Sequence, residues 1–315
     1  MPSQSCRVSV IIPLFNSAPT LERAVRSVLQ QTLRDVEVII VDDASLDTSL
    51  REAQALAAAD ARVKVISLPT NRGKPHAMNR ALPEASGTWI AVLDADDEYE
   101  PERLATLTSA GEAHDVALVA DNQRFWDAAA GKMVRTAFPI EDGDRIIDKP
   151  AFIAGSDPYA QFDFGMLKPV IRADFVRRVG LAYRETARLS EDFLYLLDFF
   201  AAGGRGFLVA EPLYNWTQSF GTISRQWTLT GAGDWRYDYR SAIATCEVAL
   251  HDMRARHDHA FARLLQGRIN AFRRLHRLAA LSRMRKTGAG LPRVLAEAVR
   301  HPSIWPLIIS RLMRA

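Results

Sequence analysis

Three carboxylates fall within four residues in Leu93-Asp94-Ala95-Asp96-Asp97, directly after the apolar run Trp89-Ile-Ala-Val-Leu93. Like charges packed this closely raise one another's pKa unless a cation or a proton offsets them. A hard divalent ion, Mg²⁺ or Mn²⁺, offsets them through oxygen ligands and keeps coordination positions open for a diphosphate. The spacing is not that of an EF-hand, since Tyr99 stands where the loop glycine would be and Ala105 where the bidentate Glu would be. A solvated acidic turn capping a helix at Pro101 is the other reading of these residues. A second pair, Glu191-Asp192, opens the apolar run Phe193-Leu-Tyr-Leu-Leu-Asp-Phe-Phe. Negative charge is favoured at a helix start, so the pair reads either as a cap or as a source of general-base chemistry.

Chemistry at these positions requires elements that bring them together. Arg7-Val-Ser-Val-Ile-Ile-Pro13 and Val36-Glu-Val-Ile-Ile-Val41 read as buried strands, and Leu21, Val25, Val28 and Leu29 carry helical spacing between them. A helix running to about Ala59, a strand at Val63–Ser67, a helix near His76–Leu82 and the strand at Trp89 continue the alternation. Strands alternating with helices predict an α/β fold with a mostly parallel sheet flanked by helices. Ligands of such sheets lie beyond the carboxyl ends of the strands. Asn16, Asp42, Asp43 and the Asp94 to Asp97 group all fall there. Asp43 also reads as a cap for a helix from Ser45 to Leu50. From about residue 100 to 225 the alternation is less regular, with a strand expected at Asp115–Asn122 and a loop-rich stretch at Asp142–Lys149.

The chain has 315 residues, 48% hydrophobic and 24% charged, a composition that supports a sizeable core. Cys6 and Cys246 are the only cysteines, which suggests neither a disulfide framework nor a zinc site and fits a cytoplasmic setting. The polar start, Met1 to Arg7, has no leader-like apolar run, and no stretch of about 18 apolar residues predicts a membrane span. Net charge is +3, yet residues 251–315 hold 14 Lys/Arg against three Asp/Glu. A body with a basic appendage is the expected organisation. In that appendage Phe261, Leu264, Leu265, Phe272, Leu275 and Leu278 share a helical face, and Arg268, Arg273, Arg274 and Arg277 fall largely elsewhere.

Val10-Ile-Ile-Pro13-Leu-Phe-Asn16, Val41-Asp-Asp43-Ala-Ser-Leu-Asp47, Asn71-Arg72-Gly73-Lys74 with Asn79, Asp94-Ala-Asp96-Asp97 and Ser190-Glu191-Asp192-Phe193 occur in one order. Together they resemble the family 2 inverting glycosyltransferases of the GT-A fold, over roughly residues 7–225. The absence of Gly-x-x-x-x-Gly-Lys and Gly-x-Gly-x-x-Gly loops argues against kinase and dehydrogenase readings. The resemblance implies that Asp43 accepts the N3–H of uracil while Pro13 and Asn16 shape the nucleotide pocket. It places Arg72 and Lys74 near phosphate or base, Asp94 near the ribose or sugar, Asp96 on the metal and Asp97 behind it. It makes Asp192 the general base. It further implies a catalytic domain over residues 1–228, with a nucleotide-sugar half at 1–99 and an acceptor half at 100–228, and a helical extension at 229–315.

Asp163-Phe-Gly-Met-Leu-Lys168-Pro-Val-Ile-Arg172 lies in the acceptor half. Phe125, Trp126, Tyr159 and Phe164 could stack on sugar rings, although core packing is the commoner use of such residues. Ser219–Arg225 resembles the segment that closes over the donor diphosphate in relatives, which makes Arg225 a candidate phosphate contact. The extension, with Ile304-Trp305-Pro-Leu-Ile-Ile309 near its end, reads either as a peripheral membrane contact or as helices that cover the domain. The overall pattern is similar to bacterial exopolysaccharide enzymes, including succinoglycan-type glucosyltransferases. It therefore implies a UDP-sugar donor, UDP-glucose first, and a lipid-linked oligosaccharide acceptor at the inner face of the membrane. The competing expectation is a catalytically degenerate scaffold or regulator in a polysaccharide-assembly complex. No nucleic-acid-binding module is recognisable in the basic tail.

Overall fold

The computed structural model describes residues 6–127, 130–160, 162–187, 189–218, 238–286, 290–306 and 309. The chain divides into two compact units, Met1–Ser156 with Gln161–Arg225 and Asp157–Ala160 with Gln226–Ala315.

The first unit begins with the alternation β1 (Val8–Leu14), α1 (Ala18–Leu29), β2 (Val36–Asp42), α2 (Ser49–Ala59), β3 (Val63–Ser67), α3 (Lys74–Ala81) and β4 (Trp89–Val92). These strands lie in the order β3-β2-β1-β4, and each of their pairings is parallel. On one face Val8, Val10, Ile12 and Leu14 pack with Leu21, Ala24, Val25 and Val28 of α1. Ile11, Ile39 and Val41 are also sealed from solvent, so the central strands are buried on both faces, as parallel sheets require.

Beyond β4 the sheet becomes mixed. The remaining strands are β5 (Glu98–Tyr99), β6 (Leu118–Asp127), β7 (Lys132–Thr136), β8 (Arg145–Ile147), β9 (Val170–Arg172) and β10 (Gly206–Gln218). The sheet order continues β4-β9-β6-β10-β5, with β9 antiparallel to both neighbours and β10 parallel to β6 but antiparallel to β5. The parallel expectation thus describes β1 to β4 and the long β6–β10 pair, and short antiparallel strands join and flank them. Among the helices, α4 (Arg103–Ala113) precedes β6, α5 (Lys149–Gly155) and α6 (Ala173–Val179) are short, and α7 (Glu191–Ala201) precedes β10. The loop-rich stretch at 142–149 contains β8. The strand expected at Asp115 starts three residues later, because Asp115 adopts a left-handed φ of 44° in the turn that ends α4.

The second unit is built of α8 (Tyr239–Ala255), α9 (His259–Lys286) and α10 (Leu291–Val299). Phe261, Leu265, Phe272, Leu275 and Leu278 are buried along α9, with Ile269 between them, and α8 contributes Cys246, Leu250 and Met253. Arg268 departs from its expected solvent-side place, being only 4% exposed with its guanidinium carbon 5.4 Å from the Phe272 ring centre. A long aliphatic stem and a planar charged head let arginine occupy such a position. No helix among the described residues is long and apolar enough to cross a membrane.

Candidate active site

The carboxyl ends of β1, β2 and β4 open into a cavity of about 230 Å³ lined by Pro13, Asp43, Lys74, Asp94, Asp96, Lys168, Glu191, Asp192 and Trp216, among others. Six of the residues singled out by sequence therefore meet around one space: Pro13, Asp43, Lys74, Asp94, Asp96 and Asp192.

Asp43 follows β2 and is almost wholly buried, with Oδ1 accepting from the Arg72 amide at 3.0 Å and Oδ2 from the Gly73 amide at 2.7 Å. Its main-chain carbonyl accepts from Asn71 Nδ2. Capping of a following helix is not its role, since α2 begins only at Ser49 behind Thr48. Asp43 instead fixes the loop leading into α3, where Gly73 takes a φ of 91° that a side chain would resist. A carboxylate with two oxygens has lone pairs to spare for a third donor. Asn16 acts from behind the pocket wall: at φ 49° its Oδ1 accepts from the Leu46 amide, and its own amide donates to Ser45 Oγ. It braces the turn after β2. Arg72 points away from this cluster to Glu185, 2.9 Å distant, and its side chain is more than half exposed. Arg225 lies outside the described residues.

The acids of the Asp94 to Asp97 turn have separate surroundings. Asp94 is held by Lys74 at 2.8 Å and Lys168 at 2.7 Å. Burial alone would raise its pKa, but the two ammonium groups outweigh burial and hold it far below the ordinary carboxylate range. Asp96 lines the cavity, and its main-chain carbonyl accepts from Arg23 Nη2 at 2.7 Å. Asp97 is fully buried, with Oδ2 accepting from the Tyr214 hydroxyl at 2.6 Å and Oδ1 from the Thr217 amide at 2.8 Å. Burial and the neighbouring Asp96 and Asp94 push its pKa well up. Asp97 thus ties the turn to β10.

Ser190, at a left-handed φ of 63°, precedes α7 and delivers Glu191 and Asp192 to its first turn. Asp192 Oδ2 accepts from Lys168 Nζ at 2.6 Å and from Lys74 Nζ at 3.0 Å. Burial would raise the Asp192 pKa, and the charges of Lys168 and Lys74 outweigh it and keep the carboxylate ionised. Glu191 behaves oppositely: burial and the charge of Asp192 lift it to about 7. Adjacent acids with pKa values pushed apart, in a cavity, mark a site able to accept a proton at one carboxylate and hold one at the other.

The motif order implied that Pro13, Asp43, Lys74, Asp94, Asp96 and Asp192 belong to one site, and all six line this cavity. The model of the family described as "Glycosyl transferase family 2" matches residues 9–168. The chain belongs to glycosyl transferase family 2. This family 2 member is 34% identical over 223 residues to the succinoglycan biosynthesis protein ExoO of Rhizobium meliloti (strain 1021), a match covering 69% of this chain and 62% of that protein. Among solved structures it resembles S. aureus TarS in complex with UDP-GlcNAc, with a TM-score of 0.65 and 18% identity over 92% of this chain and 83% of that one. It also resembles the mannosyltransferase PcManGT from Pyrobaculum calidifontis in complex with GDP-Man and Mn²⁺, with a TM-score of 0.56 and 20% identity over 99% of this chain and 85% of that one. At these identities the two structures establish the GT-A fold. The matched residues hold Pro13, Asp43, Lys74, Asp94, Asp96 and Lys168 of the cavity, and Glu191, Asp192 and Trp216 lie beyond them.

Sequence reasoning left out Lys168 and Glu191 as site residues. Lys168 lies in a stretch that reads as acceptor-side, with its partner acids 74 and 24 positions away, and only the fold brings them together. Glu191 was visible as part of a helix-start pair, but its raised pKa depends on burial. Of the aromatic candidates, Phe125 is buried with its ring centre 4.6 Å from that of Trp216, and it is Trp216 that lines the cavity. Tyr159 lies in the second unit, its hydroxyl 3.3 Å from the Ala271 carbonyl.

Proposed function

We propose that this family 2 member transfers a sugar, glucose first among candidates, from a UDP-sugar to a hydroxyl of a lipid-linked oligosaccharide with inversion, during exopolysaccharide assembly. The observation that carries the proposal is a partly buried Asp192, held by Lys168 and Lys74, that lines the same cavity as Asp43, Asp94 and Asp96. In this reading Asp43 accepts the uracil N3–H and Asp94 meets ribose or sugar hydroxyls. Asp192 takes the proton from the acceptor hydroxyl as its oxygen bonds to the anomeric carbon. The bond from that carbon to the diphosphate oxygen breaks in the same displacement, and UDP leaves from the opposite face. Such base assistance is worth roughly 10²–10⁴ in rate.

The donor set suits a hard divalent ion. Asp96 offers carboxylate oxygens at the cavity, and among the described residues no three His, Cys, Asp or Glu side chains converge as a self-sufficient metal cage. Mg²⁺ and Mn²⁺ commonly bind through one or two carboxylates together with substrate phosphates. When bound, the ion would stabilise negative charge on the departing diphosphate. Domain boundaries at about residues 99 and 228 and a membrane-contacting role for the basic extension belong to the same proposal. ExoO's succinoglycan role motivates the lipid-linked acceptor.

The test is Asp192→Asn, followed by UDP release from UDP-glucose with Mn²⁺ and by calorimetric titration of UDP–Mn²⁺. UDP release should fall at least about 100-fold while nucleotide affinity stays within a few fold. A variant that turns over at wild-type rate would remove Asp192 from the base role.

A further inference from the structure

Lys168 bridges the two sides of the cavity. Its Nζ lies 2.6 Å from Asp192 Oδ2 and 2.7 Å from Asp94 Oδ2, and only 12% of its side chain is exposed. Its main chain is fixed independently of those acids. The Lys168 carbonyl accepts from Arg103 Nη2, whose guanidinium is sealed from solvent, hydrogen-bonded to Asp121 and packed over the Tyr99 ring at 4.1 Å. Two residues earlier, the Met166 carbonyl accepts from the buried Gln123 side chain at 3.0 Å. Gly165 sits so close to α7 that a Cβ there would lie 2.6 Å from Cβ of Phe193, the residue after Asp192. The loop carrying Lys168 is thus pinned to α4 and β6 on one side and pressed against the base-bearing helix on the other.

Accepting the reading of Asp192 as base, we infer that Lys168 is the positioning residue of the transfer: it grips one oxygen of Asp192, Oδ2, and so turns Oδ1 to the acceptor hydroxyl while fixing the base relative to Asp94. An ammonium held in this way loses little freedom in the transition state, and its charge keeps the base unprotonated between turnovers. The groups facing Asp192 are Lys74 from α3, Asp94 after β4, Lys168 before β9, Glu191 on its own helix and the phenol of Tyr183 before α7. Lys74 is shared with Glu191, 3.9 Å away. Both lysines pair with Asp94 and Asp192, and Lys168 makes the shorter contact to each. Each lysine is a strong donor, but only Lys168 has its main chain anchored by a buried ion pair.

The test compares wild type, Lys168→Met, Lys168→Arg and Asp192→Asn of the full chain. Steady-state UDP release from UDP-glucose with Mn²⁺ is measured from pH 3 to 9. The Asp192 carboxyl is titrated in parallel by ¹³C NMR, its resonance identified by loss in Asp192→Asn, so that its ionisation is read without turnover. Lys168→Met is expected to lower kcat about 100-fold with KM for UDP-glucose within threefold. The acidic limb of kcat and the Asp192 midpoint should both move up by about 1–3 pH units. Lys168→Arg, which keeps the charge, should return the midpoint toward wild type and recover part of kcat. An Asp192 midpoint unmoved in Lys168→Met, or a loss of activity equal at all pH values, overturns the positioning role. Unchanged turnover in Asp192→Asn overturns the base reading itself and the inference with it.

Discussion

Glu191→Gln should make the protein more stable at neutral pH and leave it unchanged in acid. Burial and the Asp192 charge raise the carboxyl of Glu191 from 4.5 to about 7 in the folded state. Between those values the native state holds a proton that the unfolded chain has released, so stability falls as pH rises through the window. The gap from 4.5 to about 7, at about 1.4 kcal/mol per pH unit, corresponds to about 3 kcal/mol once Glu191 is ionised. Glutamine keeps the shape and removes the titration. Urea unfolding followed by tryptophan fluorescence should give equal stabilities for the two proteins near pH 4.5. The variant should gain about 2 kcal/mol near pH 6 and about 3 kcal/mol above pH 7.5. The gain should shrink in an Asp192→Asn background, where the second cause of the shift is gone. Stability curves that run parallel from pH 4.5 to 8 would refute the argument, since they would show that Glu191 ionises as it does in the unfolded chain.

Asp43→Ala should cost about 1–3 kcal/mol by leaving the Arg72 and Gly73 amides without their acceptor. It should also abolish the thermal shift with UDP, whereas Asp96→Ala should remove only the Mn²⁺-dependent part of that shift. Arg103→Met or Asp121→Asn alone should each destabilise by about 3–5 kcal/mol, because the remaining partner is a buried charge; urea unfolding should find Arg103→Met/Asp121→Leu less damaged than either single variant. Removal of residues 290–315 should weaken cosedimentation with phosphatidylglycerol vesicles, each lost arginine near the surface counting for about 1 kcal/mol. Unchanged cosedimentation would separate those residues from any lipid contact.

The first half of the sheet was legible because β1, β2 and β4 are largely apolar, broken only by Ser9 and Glu37 near their starts, and Asp42, Asp43 and Asp94 gather at their carboxyl ends. The second half was less so, for two physical reasons. β5 has two residues and β9 has three, too few to display a period. In β6, Asp121, Asn122 and Gln123 are polar yet buried, because Arg103, the Phe138 and Ala210 carbonyls and the Met166 carbonyl complete their hydrogen bonds. A sequence shows the polarity of such residues and not the partners that make it tolerable. The site divides the same way: carboxylates announce themselves by clustering, whereas Lys168 acquires its importance from what the fold places against it.

The grip of β10 on the acidic turn also sets an order of events during synthesis. Asp97 is held by the Tyr214 hydroxyl and the Thr217 amide, 117 and 120 positions further along the chain. Contacts so distant in sequence form late, because the intervening loop must close first. At about 5–20 residues per second, the emerging chain spends several seconds or more between making the turn and making the strand that shapes it. The four parallel strands can assemble in that interval, but the turn that would meet the diphosphate lacks its anchor until β10 arrives. Under the proposed function, the donor pocket would therefore be completed only once β10 has been made.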